Sequence, residues 1–139
     1  MIGFYYRIWV DCITRINLQS DENKKNWQTT CMIGMTFAMT SNFVLIMILL
    51  QKYGFGYYFY NLNLSFLPKK LAAIFNFVTL YILPCLIVNY LLIFRNRRYE
   101  KLLEIYPYKY NGKLFLYYLI ISVGLPLSLL VIGMIISRL

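Results

Sequence analysis

Residues 26–51 read NWQTTCMIGMTFAMTSNFVLIMILLQ, and this stretch decides the fold. It runs from Lys25 to Lys52 and holds 26 residues without a charge. A helix rises 1.5 Å per residue, so the stretch reaches about 39 Å, more than the ~30 Å hydrocarbon core of a bilayer. Trp27 stands where an interfacial aromatic belt would lie.

Two further runs repeat the pattern. Residues 71–94, between Lys70 and Arg95, and residues 114–137 each hold 24 uncharged positions. Pro68 pre-sets the backbone for the start of the first of these. Beyond Arg95, Tyr99, Leu102, Leu103 and Tyr106 recur at helical spacing, so a helix is expected to continue through Ile105. Pro107 and the Asn111-Gly112 pair then predict a turn.

Composition agrees with lipid as the solvent. Of 139 residues 60 % are apolar and 14 % charged, against about 25 % charged in soluble domains. So few charges cannot dress the surface of a soluble globule this small. The expected fold is an all-α integral membrane protein, a single membrane domain over residues 1–139. Transmembrane helices are expected at 28–51, 71–94 and 114–137.

Residues 2–17 precede the spans and read as an amphipathic, interfacial helix. Gly3, Arg7, Asp11, Thr14 and Arg15 fall on one arc; Ile2, Tyr5, Tyr6, Trp9, Cys12, Ile13 and Ile16 fall on the other. The apolar arc suits the headgroup boundary with the charges facing water, and suits equally well a helix packed on the rest of the protein. Arg7, Asp11 and Arg15 stand at i, i+4, i+8, which allows two ion pairs worth about 0.2–0.5 kcal/mol each. They also interrupt any signal-peptide core. Ser20 or Asp21 is a candidate N-cap for the helix that follows.

Residues 52–70 read as an outer loop. Seven of the sixteen residues 53–68 are aromatic, and Gly54, Gly56, Asn61 and Asn63 break any helix. Asn63-Leu64-Ser65 matches a glycosylation sequon, a short motif that carries no meaning in most bacteria.

The basic residues set an orientation. Arg7, Arg15, Lys24 and Lys25 lie before the first span, and Arg95, Arg97, Arg98, Lys101, Lys109 and Lys113 lie in the 95–113 loop. That side carries ten positive charges against four for Lys52, Lys69, Lys70 and Arg138. Cytoplasmic loops carry the Lys/Arg excess, so the N-terminus is expected in the cytoplasm and the C-terminus outside. Richness in Tyr, Ile and Asn suggests an AT-rich genome, which favours a bacterial plasma membrane. The net charge of +9 flanks apolar runs, so the expected partner is anionic lipid rather than nucleic acid. Arg7, Arg15, Arg95, Arg97, Arg98 and Lys101 are the candidates for a cytoplasmic surface that meets lipid headgroups or a partner.

Small and polar residues inside the spans mark candidate packing faces. Gly34, Ala38 and Asn42 lie at i, i+4, i+8 with Ser41 beside them. Small side chains let helix backbones approach, and Asn42 can hydrogen-bond across helices. Asn76 and Thr79 share a face of the second span; Ser122, Pro126 and Gly133 line up in the third. At ideal helical pitch Asn89 falls off the face of Asn76, unless Pro84 rotates the phase. Pro84 and Pro126 stand near the middle of their spans, where proline kinks a helix.

The chemistry of catalysis is missing. No charge lies inside any span, so ion-coupled transport and intramembrane proteolysis lack their usual groups. Glu100 and Glu104, among Arg97, Arg98 and Lys101, read as salt-bridged surface rather than a metal pair. Cys12, Cys31 and Cys85 are odd in number, sit in apolar segments and have no histidine near them, so no disulfide framework, zinc site or cofactor is expected. The expected function is an accessory or assembly subunit that packs against another membrane protein or copies of itself. The alternative is an oligomeric pore-forming effector of lysis or defence type. In span number the chain resembles one holin class, which starts outside and shares no motif with it.

Overall fold

The computed structural model describes residues 2–19, 25–52, 62 and 66–136. The 20–24 linker with its candidate N-caps, nearly all of the aromatic loop with its sequon, and residues 137–139 lie outside the described residues. Within them every regular element is helical, and no strand occurs.

Helix α1 is Ile2–Gln19. Helix α2 is Trp27–Leu50. Helix α3 covers residues 69–94 and changes pitch along its length: α-helical at Lys69–Phe77, π-helical at Val78–Ile82, α-helical at Leu83–Asn89 and π-helical again at Tyr90–Phe94. Helix α4 is Arg98–Ile105 and helix α5 is Lys113–Ile136. Three helical stretches are long and apolar enough to cross a membrane: Trp27–Leu50, Lys69–Ile105 and Lys113–Ile135.

Local chemistry explains the breaks. Pro84 has no N–H and its ring crowds the carbonyl one turn back, at Leu80. The wide π-turn directly before it relieves that crowding without breaking the rod. The rod does break after Phe94, where Asn96 and Arg97 take left-handed φ values of 56° and 52°. Asn visits that region more readily than most residues. The 94–98 bend therefore turns α4 off the axis of α3, although the two read as one helix by periodicity.

The Asn111-Gly112 pair forms the expected turn. Both residues have positive φ, 54° and 76°, and Lys113 N donates to Tyr110 O at 3.0 Å. This is the primed geometry that Asn-Gly favours.

Helix α2 is the hub: α1, α3 and α5 all pack on it, and α1 also packs on α4 and α5. The core sits at the end where α2 and α5 begin. Ile8, Trp9, Val10, Cys12, Ile13 and Ile16 of α1 fill it, with Cys31 and Met35 of α2, Ile93 of α3 and Leu102 of α4. Trp9 stands edge-on to Phe94, and Trp27 edge-on to Tyr99.

Helix α1 differs from a helix that buries one arc. Its six successive residues from Ile8 to Ile13 are all buried. At 100° per residue, six positions sweep more than a full circle, so the middle of α1 is enclosed on every side. Asp11, expected among the water-facing charges, is 2 % exposed. The reason is that the starts of α2 and α5 and the α4 segment close around it. Exposed apolar side chains on α1 remain near its ends, at Ile2, Phe4 and Leu18.

The opposite end of the bundle is open. No residue of Lys69–Phe77 is buried, and the last turns of α5 expose Leu127, Leu130 and Ile135 by more than half. One end of the protein is thus packed like a core and the other presents bare apolar helices.

Candidate functional site

The polar side chains inside the bundle form two small groups, both held by α2. Asn89 of α3 is 0 % exposed. It donates through Nδ2 to Thr36 Oγ1 at 3.3 Å and accepts a short hydrogen bond from the Tyr5 hydroxyl of α1. Tyr5 also packs edge-on against Tyr118 of α5, with ring centroids 6.2 Å apart. Its hydroxyl also lies 3.8 Å from Met39 Sδ of α2, so one tyrosine touches all three long helices. Burial pushes its phenol above the ordinary range, so the hydroxyl keeps the proton it donates. In the second group Asn42 Nδ2 donates to Ser122 Oγ of α5 at 2.9 Å.

These contacts follow from the sequence of α2. Cys31, Met35 and Ala38 are buried on one face. Gly34 completes it: a Cβ at Gly34 would lie 3.1 Å from the Phe115 ring, so the glycine is what lets α5 approach. Thr36 and Thr40, one turn apart, are the buried polar residues of the same helix.

A third polar group joins α1 to the start of α5. The first N–H groups of a helix have no partner within it, and the aligned peptide dipoles leave about half a positive charge there. Asp11 meets both needs from a distant helix. Its Oδ1 accepts from Gly112 N at 2.8 Å and its Oδ2 from Phe115 N at 3.1 Å. Arg15, one turn on, donates from Nη1 to Gly112 O at 3.0 Å. The carboxylate that periodicity pairs with arginine neighbours is thus a helix cap supplied across the fold.

Gly112 is required there on two grounds. Its φ of +76° suits few other residues, and a Cβ would come within 2.1 Å of Arg15 Cδ. Gly112→Ala is expected to destabilise the protein by about 1–2 kcal/mol, from backbone strain and displacement of Arg15. Detergent-titration unfolding followed by tryptophan fluorescence measures it. An unchanged midpoint would mean that the turn relaxes freely.

The remaining candidate residues are placed as follows. Gly34, Ala38, Asn42 and Ser122 come together within one chain, where the α2–α5 contact forms. Ser41 is half-buried beside them. Asn76 lies towards the open end and donates to Leu62 O at 3.2 Å; Thr79 is half-buried in the first π-turn. Pro126 and Gly133 line a cleft of about 280 Å³ with Ile48, Leu129, Leu130 and Met134. Among the cations, Arg15 is committed to the cap. Arg7 lies 5.8 Å over the Tyr106 ring, and Arg97 approaches Glu100 at 4.0 Å. Arg95, Arg98 and Lys101 are exposed at the same end of the molecule as α1. Asn89, Tyr5, Thr36 and Asp11 are not among the candidate residues that sequence patterns single out, although three of them carry the polar core and the fourth caps α5.

No protein-family model matches the chain, and no curated protein or solved structure is significantly similar to it.

Proposed function

We propose that this chain is an integral protein of the bacterial plasma membrane that acts by helix packing, as an accessory or assembly subunit of a membrane complex and not by catalysis. The observation that carries this reading is the uneven packing of three apolar helices. One end is closed by α1 and held by hydrogen bonds. At the other end, residues 69–78 of α3 and 125–135 of α5 present bare apolar surface. In a bilayer such surface meets lipid or another helix, and backbones approach closest at small residues. Gly133 has open space where a Cβ would stand, beside the Pro126 cleft. That is where a partner helix fits, whether from another membrane protein or a second copy.

The orientation that the charge count favours puts α1 and the 95–113 loop at the cytoplasmic face. Exposed Ile2, Phe4 and Leu18 then lie at headgroup level, consistent with α1 as an interfacial helix. Arg7, Arg95, Arg97, Arg98 and Lys101 would face anionic lipid, worth about 1 kcal/mol per charge. Against the pore-forming alternative, Asn42, Asn89, Thr36 and Ser122 bond to one another within the chain. A pore wants such groups along a water-filled opening.

The test is expression of the tagged chain in a bacterial membrane, with membrane potential and complex size as readouts. The expected result is an intact potential and a complex that disassembles in the Gly133→Leu variant. Because Gly133 has no neighbour within 4 Å of an added Cβ, the variant should leave the chain's own fold unharmed. Depolarisation by the wild-type chain would overturn the reading in favour of a pore, and a complex indifferent to Gly133→Leu would overturn the docking face.

A further inference from the structure

Cys12 and Cys31 are 19 positions apart in sequence, on different helices, yet their Sγ atoms lie 3.3 Å apart. Both side chains are 0 % exposed. Each thiol has the other as its polar neighbour, and both are free. Cys85, the third cysteine, stands apart on α3. Small apolar packing alone accounts for a buried cysteine, but not for two thiols meeting at the one interface that ties α1 to the hub helix. Asp11 beside Cys12 is fixed to α5, so the pair meets at the centre of the closed end of the molecule.

We propose that Cys12 and Cys31 are a redox pair whose disulfide locks α1 onto α2. This goes beyond the packing role and does not depend on it. The oxidant is hydrogen peroxide, small enough to reach the pair when α1 opens locally. One thiol sulfur attacks a peroxide oxygen, the O–O bond breaks, and water leaves with the thiol proton, giving a sulfenic acid. The second thiol then attacks that sulfur, the S–O bond breaks, and a second water leaves as the S–S bond forms. Two sulfurs lose two electrons and the peroxide gains them. The sulfur atoms must close from 3.3 Å to a bond length of about 2.0 Å. Sliding α1 slightly along α2 supplies that movement. The hydrogen bond with the Cys31 thiol, and then burial, hold the Cys12 thiol well above its ordinary range. The closed form is therefore slow to react, and the rate of locking reports how often α1 opens.

Thiol counting in native membranes tests this. Membranes holding the full chain are treated with hydrogen peroxide or with dithiothreitol, then denatured and labelled with a heavy maleimide. The reduced chain should take three labels and the oxidised chain one, on Cys85. The Cys85→Ser chain should go from two labels to none, which guards against any folding defect in Cys12 or Cys31 variants. Cys12→Ser should keep both its thiols after peroxide. A single label before any treatment supports the pair equally, as a bond already formed. Three labels after peroxide, loss of thiols in Cys12→Ser, or a disulfide-linked dimer on a non-reducing gel would each overturn the proposal.

Discussion

Asp11→Ala is expected to cost about 3–4 kcal/mol of stability, the largest loss from any single side chain of α1 outside its apolar core. Two hydrogen bonds accepted by a carboxylate disappear together, each worth about 1.5–3 kcal/mol. The Gly112 and Phe115 N–H groups that they satisfied have no helical acceptor to turn to. The substitution also leaves Arg15 without a carboxylate at its side, so the arginine bond to Gly112 O loosens. Asp11→Asn should recover about half of the loss, since one amide oxygen remains while the NH₂ group meets another donor. The measurement is unfolding in mild detergent by rising SDS, with Trp9 and Trp27 as fluorophores. If Asp11→Ala unfolds within about 0.5 kcal/mol of the wild type, the cross-fold cap contributes nothing and α1 is held by apolar packing alone.

Asn89→Leu is expected to cost about 2–3 kcal/mol. Hydrogen bonds between membrane helices average about 0.6 kcal/mol and reach about 1.7. Asn89 makes two, and its loss leaves the Tyr5 and Thr36 hydroxyls buried without it. A double-mutant cycle isolates the Tyr5 link. Tyr5→Phe and Asn89→Leu should couple by about 1 kcal/mol, and a coupling near zero would mean that the two groups do not hold each other. An alkaline titration gives a second readout. The folded phenol titrates above its unfolded value near 10.0. Its contribution is therefore full below that pH and declines as pH rises beyond it. The Tyr5→Phe protein should lack that decline.

What could be read from the sequence, and what could not, follows from the kind of pattern each feature leaves. Charge-free runs between lysines and arginines mark the three long apolar helices, because a charge in lipid is costly enough to be excluded wherever it falls. The Asn111-Gly112 turn was legible because positive φ at two successive positions selects those residue types. Asp11 was not legible. An i, i+4, i+8 array of Arg7, Asp11 and Arg15 looks the same whether its acid faces water or the start of a helix a hundred residues on. The burial of α1 stays open in the sequence for a related reason: an apolar arc has the same spacing against lipid as against protein. Asn89 was missed through phase. A fixed 100° per residue places it off the face of Asn76, but the π-turn at Val78–Ile82, between the two, carries more residues per turn. Beyond that turn, the ideal wheel no longer says which way a side chain points.

The Asp11 cap also sets an order of events in biosynthesis. The carboxylate is made long before its two donors, which come 101 and 104 residues later. Until residue 115 has left the ribosome, Asp11 lacks a backbone donor and the side of α1 that α4 and α5 cover stays bare. Closure of α1 is therefore the last step of assembly rather than the first. A chain in which α5 fails to pack is left with an open, sticky α1, the kind of unfinished surface that quality-control proteases recognise.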